Sequence, residues 1–370
     1  MSDIDWDGAR ARIAAATAPG PLATVPLLEA EGCVTSGSVL APRPLPHYDS
    51  SAMDGWAVRG ASPWRLGPGS AEPIVTGGVV PEWCESVLPS ERGRVTGDVL
   101  SSEHPVPLGR HIRSAGDEAP AGTALVDSGV RLRSAHLALL AIAGFDELVV
   151  RRPVTVDLLF TGDEVDTAGM PGAGRVRDAF TPLLPPLVAR GGGAVGSVRR
   201  LGDDDEAIAA ALLASTAPLQ ITTGGTGRSR VDAVRRALRI AGATLVVDGV
   251  AMRPGHPTLI ASLPGGAVVL ALPGNPLAAF LAALSFLPPA LEAATGAAAT
   301  VLRQGVLGEP LGRDGSTVLV PVVEADGAWR AVHGIRSHML SGLTVAEAVA
   351  VVPAGGADAG ERVRLLRLPW

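Results

Sequence analysis

Three short segments of this chain concentrate residues able to hold an anion: Thr161-Gly162-Asp163-Glu164, Thr222-Thr223-Gly224-Gly225-Thr226-Gly227 and Pro273-Gly274-Asn275-Pro276. Each follows an apolar run and precedes a helical pattern. Glycine lets backbone N–H groups approach an anion closely, and the N-terminus of a following helix favours negative charge. The chemistry expected is the binding of a phosphate-bearing ligand. Any one segment also fits an ordinary strand-to-helix turn; three in succession favour a binding rim.

Carboxylates fall on the same rim: Glu164, Asp203, Asp204 and Asp232. Asp203 and Asp204 also suit helix N-caps, since the helical pattern that follows needs acceptors for its first amides. Acids beside a phosphate site make better chemical sense if a divalent cation lies between them, and Mg²⁺ is the natural candidate. The sequence holds no GxxxxGK[ST] loop and no GxGxxG opening a helix, so an ordinary nucleotidase or dehydrogenase is not supported.

The elements that must position these groups read as alternating buried strands and amphipathic helices after Arg151. Strands are expected at 154–160, 219–222, 245–250 and 268–272, and helices at 178–190, 204–215, 231–241 and 277–294. That order predicts a doubly wound α/β domain over 153–297, with its ligand outside the carboxyl ends of the strands. Before it, residues 1–50 and 147–152 read as a helical and extended linker domain, Pro42, Pro44 and Pro46 being incompatible with a helix interior. Short apolar runs broken by Gly and Pro make 51–146 a β-rich domain, closed by a helix near 134–143. Residues 298–370 read as a small C-terminal β-barrel, with strands near 317–322, 349–352 and 362–368.

At 370 residues, the chain is long enough for several domains. No apolar run is expected to reach the ~20 residues that span a bilayer, and the acidic start, with Asp3, Asp5 and Asp7, does not read as a secretion signal. A cytoplasmic protein without a membrane partner is expected. The net charge of −6 argues against a nucleic-acid partner. Cys33 and Cys84, far apart in sequence, suggest neither a disulfide framework nor a zinc site. All 31 basic residues are Arg and none is Lys, a bias that makes Arg in a Lys position unremarkable.

The segment PHYDSSAMDGWAV at 46–58 closely resembles the signature of the MoeA and gephyrin E-domain family, as do TGDEV, TTGG, RPGHP at 253–257 and LPGNP at 272–276. Weaker echoes are IVTGGVVP at 74–81, IRSAGDE at 112–118, RVRDAFTPLL at 175–184 and SHMLSGL at 337–343. They occur in the family's order over nearly the whole chain. The resemblance implies an elongated homodimer of four-domain chains, whose third domain is similar to the pterin-binding adenylyltransferase (MogA-like). It implies an active site between that domain and the second domain of the other subunit, and the family's reaction: molybdate is inserted into adenylylated molybdopterin and AMP is released with a divalent cation.

Carried over by motif, Asp54, Thr76 and Glu164 would face that cleft, joined by Asp203 or Asp204, Asp232, Pro273 and Pro276. Asp54, Glu164 and Asp232 would be catalytic, and with Asp203 and Asp204 would hold Mg²⁺. Gly224, Gly225, Thr226, Gly274 and Asn275 would bind substrate. Molybdate is a dianion needing donors and positive charge; Arg253, His256, Arg313 and Ser337 are its candidates. The resemblance also implies the molybdopterin adenylyltransferase as a partner. The chain departs from the family pattern where two Lys become Arg253 and His256, where GGTGRSRVD replaces GGVSVGDxD, where Phe180 stands for Asn, where Gly116-Asp117-Glu118 inverts Gly-Glu-Asp, and where Trp56 stands for Tyr. Two other readings accompany these departures: a paralogue that binds pterin or nucleotide as a scaffold, and a metal-dependent pyrophosphohydrolase.

Overall fold

The computed structural model describes residues 4–226, 232–312 and 315–370. Its central part contains β1 (Thr155–Thr161), α1 (Phe180–Gly191), β2 (Ala194–Leu201), α2 (Asp205–Ala214), β3 (Leu219–Thr223), α3 (Ala233–Ile240), β4 (Thr244–Asp248), β5 (Leu259–Ser262), β6 (Val268–Leu272) and α4 (Pro276–Thr295). The sheet order is β2-β1-β3-β6-β5-β4. Neighbours from β2 to β6 are parallel, and β5 and β4 are added antiparallel.

Apolar alternation within the buried strands explains the layers. In β6, Val268, Leu270 and Leu272 face a core shared with Leu184, Phe280 and Phe286 from α1 and α4. Val269 and Ala271 face a second core with Ile208, Leu212, Val234 and Leu238 from α2 and α3. Helices therefore cover both faces, and burying each large side chain contributes about 1.5–3 kcal/mol.

Two strands of this sheet have no counterpart among the sequence expectations. β2 is an edge strand with six of its eight residues exposed, carrying Gly196, Ser197, Arg199 and Arg200, so it lacks the apolar run of a central strand. β5 is only four residues long and lies between Pro257 and Pro264.

The expectation that no segment is long and apolar enough to span a bilayer is corrected by α4, whose 20 residues include an 18-residue window of mean hydropathy 1.6. That window is 83% buried inside the protein. The helix is apolar all round because the sheet covers one side and other elements cover the rest. Among these is the N-terminal helix Trp6–Ala16, started by Asp5, whose side chain accepts from the Gly8 amide. Its Trp6 indole Nε1–H donates to Ser285 Oγ at 2.9 Å. Arg364 closes the contact with a bidentate pair to Asp7 at 2.6 and 2.9 Å.

Leu22–Pro26 pairs with Glu147–Arg151, which pairs with Val34–Thr35. Val25, Leu27, Cys33, Val126, Leu132, Leu140 and Val150 share the core beneath. Helix Ser134–Ala143 enters this core through Leu140 and packs its Ala143 with Leu45 and Ala119. The β-rich module itself packs Val58, Trp64, Ala71, Leu88 and Leu100 together. Strand Gly55–Val58 is flanked there by Ala71–Ile74 and Ser86–Pro89. Gly55 is required at its position: a Cβ would lie 2.0 Å from the Leu88 carbonyl oxygen. The C-terminal strands form a six-stranded sheet in the order Met252–Arg253, Thr317–Ala325, Ala348–Val352, Arg362–Arg367, Arg303–Val306, with Ala328–Ala331 beside Thr317–Ala325.

Candidate active site

The carboxyl ends of β1, β3 and β6 are fastened to one another. Thr161 Oγ1 donates to the Thr223 carbonyl at 2.7 Å, and the Gly224 amide donates to the Leu272 carbonyl at 3.1 Å. The three loops that leave these ends consequently share one rim, where a cleft of about 790 Å³ opens. Glu164, Asp203, Gly224, Gly225, Asp232, Gly274, Asn275 and Pro276 line it. Gly225 has φ +54°, and a Cβ there would approach the amides of Ala233 and Val234 to 2.9 and 2.8 Å. Only glycine brings the chain that close to the N-terminus of α3.

The other expected residues lie elsewhere. Thr226 and Pro273 are buried in the loops flanking the cleft. Asp204 is the N-cap of α2, accepting from the Glu206 and Ala207 amides at 3.0 and 3.1 Å. Arg253 and His256 are exposed on the segment that begins as an edge strand of the C-terminal sheet, and neither is among the lining residues. Arg313, Arg228 and Arg230 fall outside the described residues. Ser337 reaches the rim indirectly: its Oγ accepts from Asn275 Nδ2 at 3.3 Å and its carbonyl accepts from the Ala278 amide at 3.2 Å. Asp54 and Thr76 sit together in the β-rich module, the Thr76 amide donating to Asp54 Oδ1 at 2.6 Å, and neither lines this cleft.

Several lining residues belong to the segments TGDEV, RVRDAFTPLL and SHMLSGL without standing among the expected site residues. After Glu164 the chain makes a small parallel pairing of Val165–Asp166 with Val176–Arg177, so Val165, Val176 and Arg177 form one wall. Asp178 and Phe180 continue it, and His338 arrives from the C-terminal segment. Asp178 accepts from the Phe180 and Thr181 amides at 2.9 and 3.2 Å, starting α1, and pairs with Arg200 at 2.7 Å. Burial opposes its ionisation, yet the hydrogen bond from the Thr181 hydroxyl, these amides and Arg200 together outweigh it and hold the carboxyl below the usual range.

The charge balance at the opposite wall is different. The Asp163 amide donates to Asp203 Oδ2 at 3.4 Å, and the Asp203 amide donates to Asp163 Oδ1 at 3.3 Å. Partial burial first, then the charges of Glu164 and Asp163, push the Asp203 carboxyl up. Among the described residues, no three His, Cys, Asp or Glu side chains gather as a metal cage. Within one chain the five expected acids are not assembled: Asp204 caps a helix, and Asp54, expected to reach the cleft from the other subunit, belongs to another module. Magnesium, however, usually binds through one or two carboxylates with substrate phosphates completing the shell. The excess negative charge around Glu164 and Asp203 fits that kind of site.

Residues 4–144 match the family model for the MoeA N-terminal region (domain I and II), and residues 157–293 match that for a probable molybdopterin binding domain. Molybdopterin molybdenumtransferase 2 of Mycobacterium tuberculosis is 33% identical over 305 residues, covering 74% of this chain and 75% of that protein. The molybdopterin molybdenumtransferase of Synechococcus elongatus is 32% identical over 323 residues, 78% of this chain and 80% of its own. In fold, the chain is similar to a crystal structure of a molybdopterin biosynthesis MoeA protein from Pyrococcus horikoshii OT3, with a TM-score of 0.77 at 21% identity over 99% of this chain and 100% of that one. The motifs, the pterin-domain match and the curated relatives agree: the chain belongs to the molybdopterin molybdenumtransferase (MoeA) family and is a transferase of molybdenum cofactor biosynthesis.

Proposed function

We propose that the chain inserts molybdate into adenylylated molybdopterin and releases AMP. The observation that carries this reading is the convergence of three strand-end loops and three acids, Glu164, Asp203 and Asp232, on one cleft. The glycines at 224, 225 and 274 give phosphate oxygens close access to backbone. Asn275, held by Ser337, orients the ligand beside the N-terminus of α4. Glu164 and Asp203 are the carboxylates to hold Mg²⁺ once substrate phosphates are present. That ion would neutralise charge as the phosphoanhydride bridge breaks.

Asp54 and Thr76 enter through assembly in this reading. They do not line the cleft of their own chain, which is what supports a homodimer in which the β-rich module of one subunit faces the pterin cleft of the other. Arg253, His256 and Arg313 then serve molybdate, and the C-terminal sheet acts as the small barrel of a four-domain layout. A cytoplasmic setting and hand-over of substrate from a molybdopterin adenylyltransferase accompany this role.

The test uses the purified chain with adenylylated molybdopterin, molybdate and Mg²⁺. AMP and active cofactor should appear together, and omission of Mg²⁺ should stop both. Absence of AMP under every condition from a folded protein that binds molybdopterin would favour the scaffold instead. Light scattering should give twice the mass of one chain.

A further inference from the structure

We propose that Arg177 is the guanidinium that receives the phosphate of the pterin ligand in the cleft. The inference rests on the molybdopterin reading of that cleft and adds a specificity residue to it.

The case begins with charge. Glu164, Asp178, Asp203 and Asp232 line the cleft, and a phosphate entering it needs a compensating cation. Asp178 already has one in Arg200, at 2.7 Å. Neighbouring guanidiniums are committed to carboxylates as well: Arg175 to Asp166 at 2.6 Å, Arg236 to Asp205 at 2.6 Å and Arg235 to Asp248 at 2.7 Å. Arg177 is the one arginine among the described residues that line the cleft.

Its anchoring suits the task. Nη1 donates to the backbone carbonyl of Asp166 at 3.3 Å, across the small pairing of Val165–Asp166 with Val176–Arg177. The carboxylate of Asp166 feels the charge of Arg177 but takes its hydrogen bond from Arg175. One nitrogen of Arg177 is thus steadied by a neutral acceptor. A guanidinium has five N–H donors in a planar fork, so the rest can meet two phosphate oxygens at once. Across the cleft, the loops carrying Gly224, Gly225 and Gly274 offer backbone to the remaining oxygens.

The experiment compares binding of molybdopterin and of phosphatase-treated molybdopterin, by calorimetry, to the parent protein, Arg177→Ala and Arg177→Lys. Arg177 is exposed, so the variants should fold, and circular dichroism checks this. Expected is a loss on the order of 10-fold for molybdopterin in Arg177→Ala, with no change for the dephosphorylated pterin. Arg177→Lys should recover part of the loss. Equal losses for both ligands would mean that Arg177 only shapes the wall, and no loss for either would remove it from the site; both results overturn the proposal. A parent protein that binds neither ligand would instead overturn the molybdopterin reading of the cleft, and this proposal with it.

Discussion

The backbone N–H of Thr76 donates to Asp54 Oδ1 at 2.6 Å, joining the MDG turn to the TGG turn across 22 positions of sequence. That hydrogen bond is the leading reason the Asp54 carboxyl is held below the usual range. Asp54 therefore stays ionised throughout the neutral range while remaining exposed. Asp54→Asn keeps an oxygen acceptor for the Thr76 amide and removes the charge. If the charge acts in the reaction, AMP release should fall by at least ~10²-fold with molybdopterin affinity preserved. Equal rates in parent and variant would leave Asp54 a turn-forming residue.

Gly225→Asp should abolish molybdopterin binding. A Cβ at Gly225 would crowd the Ala233 and Val234 amides in a φ +54° conformation that other residues rarely adopt, and the added carboxylate would repel phosphate. Calorimetry showing parent-like affinity in a folded variant would place the ligand elsewhere.

How much of this was legible in the sequence depends on what each residue does. The buried strands β1, β3 and β6 show as apolar runs, and the glycines at their ends mark the rim. Edge strand β2 does not show, because six exposed residues leave no apolar pattern to read. Arg177 and His338 lie in the weaker echoes RVRDAFTPLL and SHMLSGL, which mark the family without saying which of their residues face the cleft; tertiary placement decides that. Asp204 illustrates the opposite case: its type fits both a cation ligand and an N-cap, and two amide hydrogen bonds assign it to the cap.

Asp178→Ala should lower stability by about 2–4 kcal/mol, seen as an earlier urea midpoint. It removes the acceptor for the first amides of α1 and leaves Arg200, a mostly buried cation, without its carboxylate. The sign of the pH dependence follows from the depressed carboxyl. Its stabilisation is full above the ordinary aspartate value of 3.8 and is lost as pH falls through the lower value in the folded protein. The gap between parent and variant should therefore be constant from neutral pH down to about 5 and close in stronger acid.

Asp203→Asn should act in the reverse direction. Burial and the charges of Glu164 and Asp163 raise this carboxyl, so the ionised form is disfavoured by folding. The cost is present above the raised value and disappears as pH drops below the ordinary 3.8. An Asn side chain still offers an oxygen to the Asp163 amide and carries no charge. Thermal unfolding at neutral pH should move to higher temperature in the variant, with the two proteins converging in acid, while AMP release declines. A variant that is less stable at neutral pH would show that the carboxylate is compensated in the folded protein.

The last prediction concerns the seam between the pterin domain and the C-terminal segment. Asn275 Nδ2 donates to Ser337 Oγ at 3.3 Å, and the Ala278 amide at the start of α4 donates to the Ser337 carbonyl at 3.2 Å. The second contact uses backbone atoms and survives any substitution at Asn275. The first fixes the only side chain of the Pro273–Pro276 loop that carries both a donor and an acceptor. Asn275→Ala should therefore leave the fold in place, with loss of one exposed hydrogen bond contributing about 1 kcal/mol or less. Substrate orientation should suffer instead: KM for adenylylated molybdopterin should rise several-fold, and Asn275→Asp should raise it further because a carboxylate would face the phosphate. Ser337→Ala separates positioning from direct contact. If Ser337 acts by holding Asn275, the double variant should be no worse than Asn275→Ala alone; additive losses would instead assign Ser337 its own contact with substrate.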